Sequence, residues 1–224
     1  MDKYAIIVAG GSGSRMGPSV PKQFLSLQGK PLLWYPIKAF LDAFSDIKII
    51  LVLPEQYISS EQAFVKTLPC AEQITITAGG TTRFQSVKNG LDHVPDNALI
   101  FVHDGVRCLL TVSLIHRCYE AALVNENAIP AVAAVDSLRV KTSSGSQVMD
   151  RATVMIVQTP QTFLSSKLKQ AYCQEYQAAF TDDASVMEHA GESIHLVEGE
   201  DTNIKITRRL DLLVAEQILK ERET

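Results

Sequence analysis

Short apolar runs rich in β-branched residues recur along this chain, and most are followed by a stretch with the spacing of an amphipathic helix. The apolar runs predict strands at 4–9, 48–53, 74–77, 99–103, 129–135 and 195–198. The stretches with helical spacing predict helices near 32–44, 57–66, 84–93, 112–124, 165–178, 184–190 and 210–221. Such alternation is typical of an α/β fold, in which helices cover both faces of a mostly parallel sheet.

One segment, residues 137–157, departs from this alternation. It contains two runs typical of strands on either side of the turn-forming residues 143–146. A ribbon of two strands is only marginally stable in water, so it should pack against something else. Its own domain and a second subunit are both consistent with the sequence at this point.

The composition is that of an ordinary globular protein, with 224 residues, 46% hydrophobic and 21% charged. We expect a single domain over residues 1–224 that buries a full core without disulfides or metals. The four cysteines form no CxxC pair, which argues against a zinc site and fits a reducing cytoplasm. No signal peptide is visible, and no apolar stretch approaches roughly 20 residues, so we expect no membrane partner.

The net charge of −4 argues against nucleic acid as a partner, because proteins that bind nucleic acid usually carry a basic excess or a basic stripe. If the ligand is instead a phosphate compound, basic residues must be gathered in one place against an acidic background.

A glycine-rich segment, AGGSGSRMG at residues 9–17, follows the first predicted strand. It matches neither the P-loop pattern nor the dinucleotide fingerprint, whose third glycine is replaced by Met16. Small residues nevertheless expose backbone N–H groups that can form a nest for an anion. Arg15 and Lys22 could add a planar fork and a compact charge, so the segment predicts a phosphate site. A tight turn with two solvated cations is the alternative.

A second candidate site, FVHDGVR at residues 101–107, lies where another apolar run ends. Ligands of open α/β sheets bind beyond the carboxyl ends of the strands, which is where Asp104 and Arg107 are expected. An aspartate there could hold Mg²⁺ together with phosphate oxygens. A surface pair between Asp104 and Arg107 is the alternative, and the adjacent His103 is interpreted as a structural residue at the strand end.

Further polar segments follow late in the chain. Lys205 lies within the alternating stretch NIKIT and should face away from Ile204 and Ile206, either into a site or simply into solvent. The two aspartates of TDDAS could bind a metal or begin the helix that follows them. Arg151 and the QTPQTF segment at 158–163 complete this set.

Taken together, these segments resemble the 2-C-methyl-D-erythritol 4-phosphate cytidylyltransferase family over about residues 5–220. The motifs that carry the resemblance, in order, are AGGSGSRMG with PKQF, GGTTRFQSV (79–87), VHDGVR, VDSLRVK (135–141), DRATVMIVQTPQTF (150–163), TDDAS and VEGEDTNIKIT (197–207). Some positions depart from the family pattern, including Gly10, Thr81, Cys108 and Ser137. These departures weaken the assignment of the acceptor more than that of the reaction.

The resemblance implies a Rossmann-like nucleotidyltransferase domain with an extended β-arm, 137–157, that joins two subunits into a homodimer. It implies a cytoplasmic enzyme that transfers a cytidylyl group from CTP to a sugar-alcohol phosphate with Mg²⁺ or another divalent cation. The attacking group is a phosphate monoester, which near pH 7 is mostly a dianion already, so no general base is required.

The resemblance also implies roles for individual residues. Those with catalytic roles are Arg15, Lys22, Asp104, Arg151 and Lys205, with Asp104 at the metal. Those around the nucleotide are Ala9, Gly10, Gly11, Gly13, Gly80, Thr81 and Ser86. Those that hold the acceptor are Asp104, Arg107, Ser137, Arg151, Thr159, Thr181 and Lys205, of which Ser137 and Arg151 could reach across from the partner's arm.

Three other functions are considered. Ribitol-5-phosphate cytidylyltransferase shares the glycine-rich segment, the TPQ stretch and the NIK motif, and differs in the acceptor. An NAD-dependent oxidoreductase shares the first strand and its turn, and Glu55 could contact the ribose, but Met16 and the basic residues argue against it. A module that senses nucleotides would bind CTP without releasing pyrophosphate.

Overall fold

A computed structural model describes residues 1–9, 25–68 and 70–222. Its strands are β1 (Asp2–Val8), β2 (Ser26–Leu27), β3 (Lys30–Pro31), β4 (Lys48–Leu53), β5 (Ile74–Ala78), β6 (Ala98–Asp104), β7 (Asn127–Ala133), β8 (Leu138–Thr142), β9 (Gly145–Met149), β10 (Met155–Val157), β11 (Gln161–Leu164) and β12 (Leu196–Glu198). Its α-helices are α1 (Trp34–Ala43), α2 (Ile58–Val65), α3 (Arg83–Leu91), α4 (Val112–Asn125), α5 (Ser165–Ala171), α6 (Asp183–His189) and α7 (Arg209–Arg222).

The central sheet has the strand order β10-β7-β11-β6-β1-β4-β5, and β12 pairs with β7. Strands β5, β4, β1 and β6 are joined by parallel pairing. Strand β11 is antiparallel to its neighbours β6 and β7, and β10 is antiparallel to β7. The sheet is therefore mainly parallel, which confirms the predicted α/β fold.

Helices cover both faces of this sheet, as predicted. Successive residues of β1 point to opposite faces, so Ile6 and Ile7 belong to different cores although both are fully buried. Helices α1, α2 and α4 contribute to the core around Ile7, and α3, α5 and α6 to the core around Ile6. Helix α7 packs through Ala215 in a third cluster that includes Leu27 and Ile206.

The segment that breaks the alternation forms a hairpin and then returns to the sheet. Strands β8 and β9 pair from Leu138 with Met149 to Thr142 with Gly145. Beyond the hairpin, β10 pairs with β7, because the edge of the sheet offers its backbone groups hydrogen bonds that a free ribbon lacks. The described hairpin thus spans 138–149, and 155–157 belongs to the central sheet.

The prediction of a helix over 165–178 was wrong in length, because α5 ends at Ala171. The Gln174 side chain donates to the Ala171 carbonyl at 2.7 Å and to the Val186 carbonyl at 3.1 Å. These bonds add a partner to a carbonyl at the helix end and tie that end to α6, so the chain can turn there. Within the described ranges, no helix is both long enough and apolar enough to span a bilayer.

Candidate active site

Strands β1 and β6 end side by side at the carboxyl edge of the sheet. Val8, the last residue of β1, is paired with Asp104, the last residue of β6. Ala9 is buried, and its N–H donates to the Val52 carbonyl at 2.9 Å. Ala9, the one described residue of the glycine-rich segment, therefore directly follows the end of β1 next to the end of β6. The predicted site residues that lie outside the described residues are Gly10, Gly11, Gly13, Arg15 and Lys22.

Asp104 is surrounded by three cationic side chains. Lys205 Nζ lies 2.8 Å from its Oδ2, Arg83 Nε lies 3.3 Å from its Oδ1, and Arg107 Nε lies 3.9 Å from its Oδ2. Burial acts to raise the pKa of the Asp104 carboxyl, but the charges of Arg83, Lys205 and Arg107 outweigh it and hold that pKa well below its usual range. The carboxylate is therefore ionised near neutral pH.

Arg83 connects this carboxylate to a second one that is fully buried. It is the first residue of α3, and its Nη1 and Nη2 donate to Asp183 Oδ1 and Oδ2 at 3.0 and 2.7 Å. Asp183 Oδ1 also accepts from the Tyr172 hydroxyl at 2.6 Å. We call Arg83, Asp104, Arg107, Asp183 and Lys205 the Asp104 cluster. Its three cations and two carboxylates leave one net positive charge.

His103 fixes the turn that carries Asp104 and Arg107. Its Nε2 lies 3.1 Å from the Arg107 carbonyl oxygen, which can only accept, so Nε2 carries the proton. Nδ1 then accepts from the Thr159 hydroxyl at 3.1 Å, and the same hydroxyl oxygen accepts from the Asp104 N–H at 3.1 Å. Burial lowers the pKa of His103 to about 4, so the ring is neutral near pH 7. The Thr159 hydroxyl, predicted to bind the acceptor, is already committed to this turn.

Lys205 is held next to Asp104 by the backbone on either side of it. The Asn203 carbonyl accepts from Arg107 Nη1 at 2.7 Å, and the Ile206 N–H donates to the Val106 carbonyl at 3.0 Å. Ile206 is fully buried, whereas 45% of the Lys205 side chain is exposed. The predicted opposition of Lys205 and Ile206 is therefore present, although the segment is not a strand.

The turn after β5 carries the residues predicted to surround the base and the ribose. The buried Ser86 hydroxyl accepts from the Gly80 N–H at 3.1 Å and donates to the Thr82 carbonyl at 2.9 Å. A Cβ atom on Gly80 would lie 2.2 Å from Gln85 Cγ, so the turn requires glycine there. Ser86 thus shapes the turn, and Thr81 beside it is exposed, with its hydroxyl 3.5 Å from Gln85 Oε1.

The remaining predicted acceptor residues lie on other elements. Thr181 is exposed and immediately precedes the N-cap of α6. Ser137 and Arg151 are exposed at the two ends of the hairpin, and Arg151 Nη1 donates to the Val135 carbonyl at 2.7 Å. Within the described part of the chain, neither Ser137 nor Arg151 hydrogen-bonds to the Asp104 cluster.

Sequence reasoning did not identify Arg83 and Asp183 as partners. The available signal was that GGTTRFQSV and TDDAS each contain a charged residue beside a helix start. Of the two TDDAS aspartates, Asp182 caps α6 through the Ser185 N–H at 2.9 Å, and Asp183 pairs with Arg83. No group of three or more potential metal ligands occurs among the residues that the structure describes.

Comparisons with known proteins agree with this arrangement. The family model for 2-C-methyl-D-erythritol 4-phosphate cytidylyltransferase matches residues 4–221. Proteins of that name from Phocaeicola vulgatus and Porphyromonas gingivalis are 46% and 42% identical to this chain, over 98% and 97% of it and over 100% and 97% of their own lengths.

Solved structures give the same result. The 4-diphosphocytidyl-2C-methyl-D-erythritol synthase of Anaerococcus prevotii superposes with a TM-score of 0.83 at 26% identity, over 98% of each chain. The 2-C-methyl-D-erythritol 4-phosphate cytidylyltransferase of Thermus thermophilus superposes with a TM-score of 0.79 at 29% identity, over 98% of this chain and 100% of its own. The oxidoreductase alternative is therefore set aside, and the chain belongs to the 2-C-methyl-D-erythritol 4-phosphate cytidylyltransferase family.

Proposed function

We propose that this chain transfers a cytidylyl group from CTP to 2-C-methyl-D-erythritol 4-phosphate, giving 4-diphosphocytidyl-2-C-methyl-D-erythritol and pyrophosphate. The observation that carries the proposal is the Asp104 cluster, which gathers a net positive charge at the carboxyl end of β6 in a net-acidic chain. Ligands of open α/β sheets bind at this edge, and the family supplies the identity of the reaction.

The reaction needs no general base, and among the described residues the histidine at the end of β6 is not suited to that role. The second pKa of a phosphate monoester is about 6, so the attacking oxygen of the acceptor is ionised at neutral pH. His103, the histidine nearest to Asp104 in the chain, is buried, has its pKa lowered to about 4 and uses both ring nitrogens in hydrogen bonds. It therefore acts by holding the turn rather than by moving a proton.

The barrier to the reaction is repulsion between the acceptor phosphate and the triphosphate. Two like charges about 4 Å apart repel by about 4 kcal/mol at an effective dielectric constant near 20. Lys205 and Arg107 of the Asp104 cluster are the groups that would neutralise the acceptor phosphate. Arg15 and Lys22, by resemblance to the family, would contact the triphosphate and stabilise the charge that develops on the α-phosphoryl oxygens.

A divalent cation would bind through Asp104. Mg²⁺ commonly uses one or two protein carboxylates and takes its remaining ligands from water and substrate phosphates. Asp104 Oδ2 is the oxygen suited to it, because its partner Lys205 is 45% exposed and could move to a phosphate, whereas Arg83 at Oδ1 is only 23% exposed. With three cations nearby, the donor set fits Mg²⁺ only together with phosphate oxygens. The ion would then offset negative charge on the triphosphate.

We also propose that the hairpin makes the protein a homodimer. Several apolar side chains on and after the hairpin are solvent-exposed in one chain, namely Val140, Val148, Met149, Met155 and Ile156. An isolated two-stranded ribbon is marginal in water, and the exposed apolar side chains lie on both faces of this one, since Val148 faces away from Val140 and Met149. A second copy would cover these side chains and bring its own Ser137 and Arg151 toward the acceptor.

The test of the function is a paired acceptor assay. Purified protein is incubated with CTP and either 2-C-methyl-D-erythritol 4-phosphate or ribitol 5-phosphate, with and without Mg²⁺, and pyrophosphate release is followed. We expect release with the methylerythritol compound and Mg²⁺. Faster release with ribitol 5-phosphate would replace the proposed acceptor, and CTP binding without release under any condition would refute the enzymatic assignment.

A further inference from the structure

The Arg83 guanidinium is shared between two carboxylates that have different surroundings. Nη1 and Nη2 form a fork on Asp183 at 3.0 and 2.7 Å, and Nε points to Asp104 Oδ1 at 3.3 Å. Asp183 is fully buried, whereas Asp104 lies at the edge where ligands are expected. One planar group thus connects a buried carboxylate to the one at the candidate site.

The Asp183 end of this connection is rigidly held. Its Oδ1 accepts a further bond from the Tyr172 hydroxyl at 2.6 Å, and the Tyr172 ring stacks on Phe84 with centroids 4.6 Å apart. The Gln161 side-chain oxygen accepts from the Asp183 N–H at 3.0 Å. Because the carboxylate and its backbone are both fixed, the guanidinium that rests on them is fixed as well.

The Asp104 end differs in how its two oxygens are held. Oδ1 faces Arg83, whose side chain is only 23% exposed, and Oδ2 faces Lys205, whose side chain is 45% exposed. Lys205 can therefore exchange its contact for a ligand phosphate while Arg83 remains in place. The carboxylate keeps its orientation only if its Oδ1 contact persists.

We propose that Arg83 is a positioning residue that holds Asp104 in the orientation needed to bind the acceptor. This inference rests on the proposed function and on the contact between Asp104 and the acceptor that the family resemblance implies. Lysine cannot substitute for arginine here, because a single ammonium cannot form the fork on Asp183 and also reach Asp104. A substitution at Asp183 should disturb the acceptor site in the same way, since it removes the anchor of the guanidinium.

The kinetic test compares three variants by pyrophosphate release at varied CTP and varied acceptor. We expect Arg83→Lys and Asp183→Asn each to raise the acceptor KM at least tenfold and to raise the CTP KM by a smaller factor, because Asp104 would supply only one of the ligands of the cation that binds with CTP. Tyr172→Phe, which keeps every charge, should raise the acceptor KM by a smaller factor. The control Arg117→Lys alters a half-buried arginine outside the Asp104 cluster, which donates to the Glu198 carbonyl, and should leave both constants unchanged.

The possible outcomes separate the explanations. If only Arg83→Lys raises the acceptor KM, Arg83 contacts the substrate itself and the inference is overturned. If the variants lose thermal stability or total activity with both KM values unchanged, the role is structural only, which also overturns it. Should Arg83→Lys and Asp183→Asn fail to fold, Tyr172→Phe decides, and an unchanged acceptor KM in that variant refutes the inference.

A spectroscopic readout separates this inference from the proposed function. The Arg83 Nε–H, which points to Asp104 while the rest of the guanidinium is paired with Asp183, should give a slowly exchanging arginine signal in the NMR spectrum of the ligand-free protein. That signal should disappear in Arg83→Lys and shift in both Asp104→Asn and Asp183→Asn. If the signal changes in this way but the wild-type protein releases no pyrophosphate, the proposed function fails, whereas the contact of Arg83 with both carboxylates is supported. If the signal is absent or does not respond to Asp104→Asn, the positioning inference fails.

Discussion

Replacing Lys205 with methionine should have a small effect on the free energy of unfolding and a large effect on the rate of the reaction. The Lys205–Asp104 pair is close, at 2.8 Å, but 45% of the lysine side chain is exposed, so water screens the interaction. Its loss should therefore lower the free energy of unfolding by at most about 1 kcal/mol. Asp104 would still be paired with Arg83 and Arg107, so no buried charge is left uncompensated. For a domain of this size, the expected fall in Tm is about 2–4 °C.

The effect of Lys205→Met on turnover should be far larger. A preorganised cation that meets developing phosphate charge contributes about 10²–10³ in rate, or about 2.7–4 kcal/mol of transition-state stabilisation. Pyrophosphate release with saturating CTP measures the loss in kcat/KM for the acceptor, and thermal unfolding measures the stability.

A matched control is Lys169→Met. This substitution removes an ion pair of similar length, in which Lys169 Nζ lies 2.7 Å from Asp96 Oδ1. Asp96 precedes the first residue of β6, at the end of the strand away from Asp104. The substitution should cost similar stability and no activity. If Lys205→Met kept kcat/KM within about threefold of the wild type, the electrostatic argument for the site would be wrong.

Three further predictions follow from the sequence and the structure. Lys22→Ala should lower kcat by about 10²–10³ with an unchanged Tm, because its proposed role is confined to the transition state; near-normal turnover would refute that role. The pKa of His103 is lowered to about 4, whereas an unfolded histidine titrates near 6.5. The unfolded chain therefore takes up this proton first, so that stability is complete above pH 6.5 and falls by up to about 3 kcal/mol toward pH 4. Denaturant unfolding across that range should show the fall in the wild type and a flatter profile in His103→Gln; equal slopes would contradict the assignment. Val148→Asp, at a 75% exposed hairpin position, should shift light-scattering mass from dimer to monomer without changing Tm of the monomeric domain, whereas a wild type that is already monomeric would disprove the dimer.

The strand that is buried on both faces of the sheet was readily predicted from the sequence. The apolar run at 48–53 coincides with β4, because a parallel strand buried on both faces leaves few positions for polar residues. Helix α5 was predicted too long because its end depends on Gln174, which reaches carbonyls of α5 and α6. No local pattern encodes a contact of that kind.

The candidate site was predictable only in part, for the same reason. Asp104 and Arg107 were identified from their place after an apolar run, and the structure places both at the carboxyl end of β6. The partnership of Arg83 and Asp183 was not predictable, because these residues are 100 positions apart and meet only when two separate helices begin beside each other. The spacing of apolar residues predicts which side of a helix or strand faces the core. It does not predict which two helices will begin next to each other.

The Asp104 cluster draws its members from positions 83 to 205, so no short piece of the chain contains it. During synthesis on the ribosome, the residues of every described strand of the central sheet are made before Lys205, the last member of the Asp104 cluster. A translation product that stops between residues 199 and 204 would contain the residues of those strands but lack Lys205, one of the three cations. A truncated protein that ends just before Lys205 should therefore have no catalytic activity, even if it is not degraded.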